Sequence, residues 1–174
     1  LTPHFLGLDL GGTRMAISFD CVSIYARQKD KVIDHWLFHG RSRFGSQVLL
    51  RRDESVRASI KAMKEMRPFY YLPDMDNGME DSIFSPFFGV QAATLSALPR
   101  LTRLGGAVVV TCVTRMLPGG QGYVLTLSKP WTDFPSGNVE ADVHRMNAAI
   151  EDLVRTMPAQ YYWVHRRFKT RPPG

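Results

Sequence analysis

Three short runs rich in β-branched and aromatic residues, separated by stretches whose apolar residues recur every three to four positions, set the tightest limit on how this chain folds. Residues 21–25 (Cys-Val-Ser-Ile-Tyr), 68–72 (Pro-Phe-Tyr-Tyr-Leu) and 107–113 (Ala-Val-Val-Val-Thr-Cys-Val) read as buried strands. The Pro118-Gly119-Gly120 turn leads into 122–128, whose alternation predicts a hairpin partner for the third strand. Val56, Ile60, Met63 and Met66 share one helical face behind a candidate N-cap at Asp53. Val139, Val143, Met146, Ile150, Leu153 and Met157 share another, with Asn138 as cap and Glu140 and Asp142 in the first turn, where the helix dipole favours them. Residues 91–104 read as a third helix closed by Gly105-Gly106. Strands alternating with helices specify an α/β fold, a mixed sheet covered by helices.

A chain of 174 residues, 44% of them hydrophobic, buries one core, so residues 1–174 read as a single domain. It opens on Leu1-Thr2-Pro3 without an initiator Met, which we read as a piece of a longer protein. Cys21 and Cys112 lack metal or redox spacing, and no apolar run approaches the ~18 residues of a membrane span. The 22 Lys and Arg against 16 Asp and Glu, net +6, favour an anionic partner without choosing among phosphate, acidic lipid, an acidic carrier protein or nucleic acid.

The segment His4-Phe5-Leu6-Gly7-Leu8-Asp9 sets a histidine and a carboxylate five residues apart. On one helix that spacing separates them by about 140°, so pairing requires His4 in a strand or loop and Asp9 in the first turn of the helix behind it. An Asp on one imidazole nitrogen fixes the tautomer and leaves the other free to accept a proton. On the pattern alone, a histidine that merely caps or packs is the favoured reading of the segment. The overlapping Leu8-Asp9-Leu10-Gly11-Gly12-Thr13 also looks like the first phosphate motif of actin-like-fold sugar kinases, in which residues 14–19 would form the second arm of a hairpin. The further motifs of that fold have no convincing equivalents here.

An ordered series of motifs decides between these readings: His4-Phe5-x-x-Leu8-Asp9, Gly40-Arg41-Ser42-Arg43, Tyr71-Leu72-Pro73-Asp74-Met75-Asp76-Asn77-Gly78, Ser82-Ile83-Phe84-x-Pro86-Phe87-Phe88-Gly89-Val90 and Gln160-Tyr161-x-Trp163-x-His165-Arg166-Arg167-Phe168-Lys169-Thr170-Arg171-Pro172. The chain resembles the lipid A biosynthesis lauroyl/myristoyl acyltransferases throughout. Asp9 stands where that pattern often has Glu, Met75 and Asn77 where it often has His and Tyr, and Thr111 where Pro is frequent. The resemblance implies a glycerol-phosphate-acyltransferase-like α/β fold. It also implies an N-terminal membrane helix and further helices upstream of the region seen here, and a place on the cytoplasmic face of the bacterial inner membrane.

It further implies an acyl carrier protein thioester as donor, no other cofactor, and a phosphorylated lipid A precursor as acceptor. His4 would be the general base and Asp9 its orienting acid. Arg41 and Arg43 carry guanidinium forks suited to phosphate, and Asp74 and Asp76 follow a strand where they could hold Arg41 or a sugar hydroxyl. Two carboxylates without a third ligand make a poor metal site, so none is expected. Arg166 and Arg167, among aromatic residues in the last motif, are candidates for the acceptor phosphate or the inner-membrane surface. Nucleic acid is not an expected partner. The alternatives are the sugar kinase and a non-catalytic module that binds anionic membrane. The run 84–88 reads as lining for an acyl groove or as core.

Overall fold

The computed structural model describes residues 1–51 and 55–173, with only the backbone at 55. The candidate cap Asp53 therefore lies outside the described residues. Helix α1 (Leu8–Ser18) leads into strand β1 (Val22–Tyr25), α2 (Lys31–Ser42) and β2 (Val48–Arg51), followed by α3 (Ser55–Lys64) and the short β3 (Phe69–Tyr70). These strands form a parallel sheet in the order β2-β1-β3, with Val22 opposite Val48 on one side and Phe69 on the other. Parallel neighbours need a crossover, and α2 and α3 supply it.

Two antiparallel hairpins follow. Strands β4 (Ser82–Phe87) and β5 (Val90–Leu95) pair across a Phe88-Gly89 turn, and β6 (Cys112–Met116) pairs with β7 (Tyr123–Leu127). Helix α4 (Ala97–Gly105) separates the hairpins, and α5 (Val139–Thr156) comes last. Segment Leu1–Thr2 lies between the two sheet regions. The amide of Thr2 donates to the Tyr71 carbonyl at 2.8 Å, and that of Cys112 donates to the Leu1 carbonyl at 2.8 Å. The fold is thus a mixed α/β arrangement whose parallel and antiparallel parts are separate ladders joined by this segment, rather than one continuous mixed sheet.

Several expectations hold with shifted boundaries. The first strand and the hairpin partner fall where alternation places them. Asn138 caps α5 by accepting the Ala141 amide at 3.1 Å, and Gly106 ends α4 at φ 60. Val143, Met146, Ile150 and Val154 of α5 are almost wholly buried and form the middle of the core with Phe5, Tyr71, Phe87 and Tyr161. The helix expected over 91–104 is half strand: Gln91–Leu95 belongs to β5, because Phe88 and Gly89 turn the chain back at positive φ and β4 captures it. Phe87 is core, with no exposure.

The kinase hairpin is corrected. Residues 8–18 form a helix, so Asp9, Gly11 and Gly12 make no strand-borne phosphate loop. Gly11 serves packing instead, because a Cβ there would overlap the Thr114 hydroxyl of β6 and crowd Leu125 of β7, whereas at Gly12 the nearest atom, on Tyr70, stands at an ordinary 3.8 Å. Urea denaturation should separate the two. Gly11→Ala is expected to cost about 1–3 kcal/mol through overpacking, and Gly12→Ala to add up to about 1 kcal/mol through helix propensity.

Candidate active site

Residues from three distant parts of the chain meet around one carboxylate. The Leu1–Pro3 segment runs beside Tyr71, so His4 arrives next to Asp74 in the loop after β3. Phe5 forms a bridge with Tyr161, while the Tyr162 amide donates to the His4 carbonyl at 2.8 Å and the Leu6 amide to that of Gln160 at 2.9 Å. The stretch after α5 is thereby laid along the other side of His4.

Asp74 has no exposure, and every bond to it is specific. Its Oδ1 faces His4 Nδ1 at 2.6 Å. Its Oδ2 accepts the His4 backbone amide at 2.8 Å and the Tyr161 hydroxyl at 3.0 Å. Burial pushes the carboxyl of Asp74 up, but the side-chain bond, charge and amide of His4, with the charge of His165, outweigh it and hold the group below its ordinary value. A carboxylate on Nδ1 fixes the proton there and turns Nε2 outward as a base. Among the described residues no hydrogen bond engages Nε2, and the His4 side chain keeps 17% of its exposure.

The partner of the imidazole is therefore Asp74 and not Asp9. Asp9 does lie in the first turn of α1, as the spacing requires, but its Oδ1 is taken by Arg41 at the end of α2, with Nη2 at 2.8 Å and Nε at 2.9 Å. Arg43 stacks over Phe44 with its guanidinium carbon 4.7 Å from the ring centre.

Two more expectations change. Asp76 does not face a substrate: it accepts the amide and hydroxyl of Thr170 at 2.6 and 2.7 Å and the Gly78 amide at 3.0 Å. Arg167 is 1% exposed, and its fork donates to the Ala93 carbonyl and the Thr94 hydroxyl, both at 2.6 Å, with Asn147 Oδ1 at 3.4 Å. It also lies over Phe87, 5.2 Å from the ring centre. Such a buried cation cannot meet an incoming phosphate. Asp76 and Arg167 instead pin residues 166–170 down, while Arg166 is exposed at a left-handed turn.

Sequence reasoning did not pair Asp74 with His4, and it passed over Tyr161 and His165. The available signal was their position in the most specific motif, which the aromatic and basic residues around them suggested was a surface feature.

Beside the first two residues of the chain lies an apolar cavity of about 470 Å³. Met15, Met63, Phe69, Leu98, Val109 and Cys112 are among its walls. Leu1 and Thr2 also line it, but His4 does not, and neither does any residue of the run 84–88.

The family model for bacterial lipid A biosynthesis acyltransferases matches residues 1–170. The chain belongs to that family. It is 37% identical over 172 residues to the lipid A biosynthesis lauroyltransferase of Escherichia coli (strain K12), covering 98% of this chain and 56% of that protein. It is 32% identical to the lipid A biosynthesis palmitoleoyltransferase of the same strain, over 98% of this chain and 55% of that one. A lipid A biosynthesis acyltransferase of Haemophilus influenzae is 31% identical over 97% of this chain and 54% of its own length. This member thus spans little more than half the length of the curated relatives it matches.

The depressed Asp74 has a consequence for stability. A carboxyl held below its unfolded value stabilises the fold above that value, and the contribution is lost as pH falls through the folded value. Wild type should therefore lose part of its stability below about pH 4. Asp74→Asn, which sets an amide against donors, should be less stable at neutral pH by about 3 kcal/mol or more. Its stability should also vary less with pH in the acid range, as read by chemical denaturation at several pH values.

Proposed function

We propose that this chain carries the base that activates the acceptor in an acyl transfer from an acyl carrier protein thioester to a hydroxyl of a phosphorylated lipid A precursor. The observation that carries the reading is the His4 imidazole, gripped through Nδ1 by a buried carboxylate with Nε2 left open, in a family named for this transfer. The acceptor hydroxyl approaches Nε2. As its oxygen attacks the thioester carbonyl carbon, Nε2 takes the proton, and Asp74 stabilises the imidazolium. The tetrahedral adduct then collapses: the carbon–sulfur bond breaks, the imidazolium proton goes to the departing sulfur, and an ester and a free thiol remain. No acyl-enzyme is needed.

The apolar cavity suits an acyl chain in volume and lining. Arg41, steadied by Asp9 at the start of α1, offers the far edge of its guanidinium to a phosphate of the acceptor or of the carrier's phosphopantetheine. Arg43 and Arg166 are exposed cations that add to this field.

Attachment at the inner-membrane surface is supported by α2. This helix has no buried residue, exposes Val32, Ile33 and Trp36, carries Lys31 and Arg41 and is flanked by Arg27, Lys29 and Arg43. An apolar face ringed by cations suits the anionic, cytoplasmic side of a bilayer. Among the described residues no helix is long and apolar enough to cross one.

Two measurements check this reading. With acyl carrier protein thioester and lipid A precursor, His4→Ala should lower kcat by about 10²–10⁴-fold, and turnover equal to wild type would remove His4 as the base. In co-sedimentation with phosphatidylglycerol vesicles, Val32→Ser with Trp36→Ser should release protein that the wild type leaves bound. Equal binding would move the membrane contact off α2.

A further inference from the structure

Beyond Asp74 the hydrogen bonds continue to a second imidazole. The Tyr161 hydroxyl that donates to Asp74 Oδ2 also lies 3.5 Å from Nε2 of His165, and the two histidine rings are 5.9 Å apart, centre to centre. His165 Nδ1 faces the Tyr162 carbonyl, which only accepts, so Nδ1 carries a hydrogen. The protonation of Nε2 then decides what Tyr161 does. In neutral His165, Nε2 is a lone pair competing with Asp74 for the single Tyr161 proton. In the cation, Nε2–H donates to the phenol oxygen, and Tyr161 is left to give its proton wholly to Asp74.

We propose that Tyr161 and His165 are positioning residues for the His4 base, acting through the second oxygen of Asp74, so that His4, Asp74, Tyr161 and His165 act as one hydrogen-bonded unit. The proposal rests on His4 being the base. Tyr161 is 2% exposed and wedged among Phe5, Phe87 and Trp163, so its hydroxyl has one place to be. Burial, then the charge and hydrogen bond of Asp74, push its proton loss far above any working pH, which keeps it a donor throughout. A donor on Oδ2 draws negative charge from the oxygen that faces His4, so Tyr161 limits how tightly Asp74 holds the imidazolium.

The charged groups around His165 come from three segments. Asp74, in the loop after β3, favours its cation; His4, on the N-terminal segment, and Arg167, on its own segment, oppose it. Burial opposes it most and holds His165 below its ordinary value, so it is neutral at working pH and charges only on the acid side. There it strengthens the Tyr161 donation and places a positive charge beside His4.

NMR titration of the histidine ring signals in the protein, assigned by single His→Gln changes, tests this without substrate. Tyr161→Phe keeps the ring in place and removes the donor, and it should raise the His4 midpoint by about one pH unit. The acid limb of the kcat profile should move by the same amount with KM unchanged, a pattern that simple loosening of the site does not produce. In His165→Gln the His4 curve should differ from that of wild type in the acid range. A His4 midpoint unmoved by Tyr161→Phe, or a wild-type curve superimposable on that of His165→Gln, overturns the proposal. Because His165 is half-buried, its variant carries the test even if Tyr161→Phe fails to fold. A shifted midpoint in a protein that transfers no acyl group would retire the acyltransferase reading and leave the coupling intact. Acyl transfer with an unmoved midpoint would do the reverse.

Discussion

A single desolvated carboxylate organises this molecule. Asp74 can stay ionised inside the protein only because donors from elsewhere surround it: the ring and amide of His4 and the hydroxyl of Tyr161. An unpaired buried charge would cost several kcal/mol, so the segments carrying those donors are drawn together around it. The first residues, the loop after β3 and the stretch after α5 thus converge for an electrostatic reason as much as for apolar packing. What satisfies the charge also orients the His4 ring.

The same economy appears at the other buried ions. Arg167 meets a carbonyl, a hydroxyl and an amide oxygen in place of a carboxylate, and Asp76 is answered by Thr170 and Gly78. Each charge fastens one segment to another that is distant in sequence. These interactions give direction to a core whose aliphatic and Met stripes are fairly interchangeable, because they hold residues 166–170 against β5, α5 and the loop after β3.

Much of the architecture was legible locally. The α5 stripe and its Asn138 cap, the first strand and the hairpin after Gly119-Gly120 follow from periodicity and turn chemistry. The β4–β5 hairpin was not, since Gln91–Leu95 carries apolar residues at a spacing compatible with either period and only pairing with β4 decides. Of the site, His4 was legible and its carboxylate partner was not. His4 stands out through a short-range pattern, but its true partner lies 70 residues away. Nothing local distinguishes Asp74 from Asp76, one of which faces the ring while the other fastens a loop. Arg167 misled for a related reason: in a sequence, an arginine amid other cations reads as surface, and the Thr94 and Asn147 that accept it are visible only once β5 and α5 are side by side.

Fastening residues 161–170 against His4 also has a consequence in time. Tyr161 lies on one wall of the site, and Thr170 answers Asp76 from still later in the chain. During synthesis, His4 and Asp74 leave the ribosome well before the groups that complete their surroundings. A nascent chain with β3 formed but α5 incomplete lacks the Tyr161 donor to Asp74. The buried carboxylate therefore gains its full set of donors only after the stretch following α5 has been made.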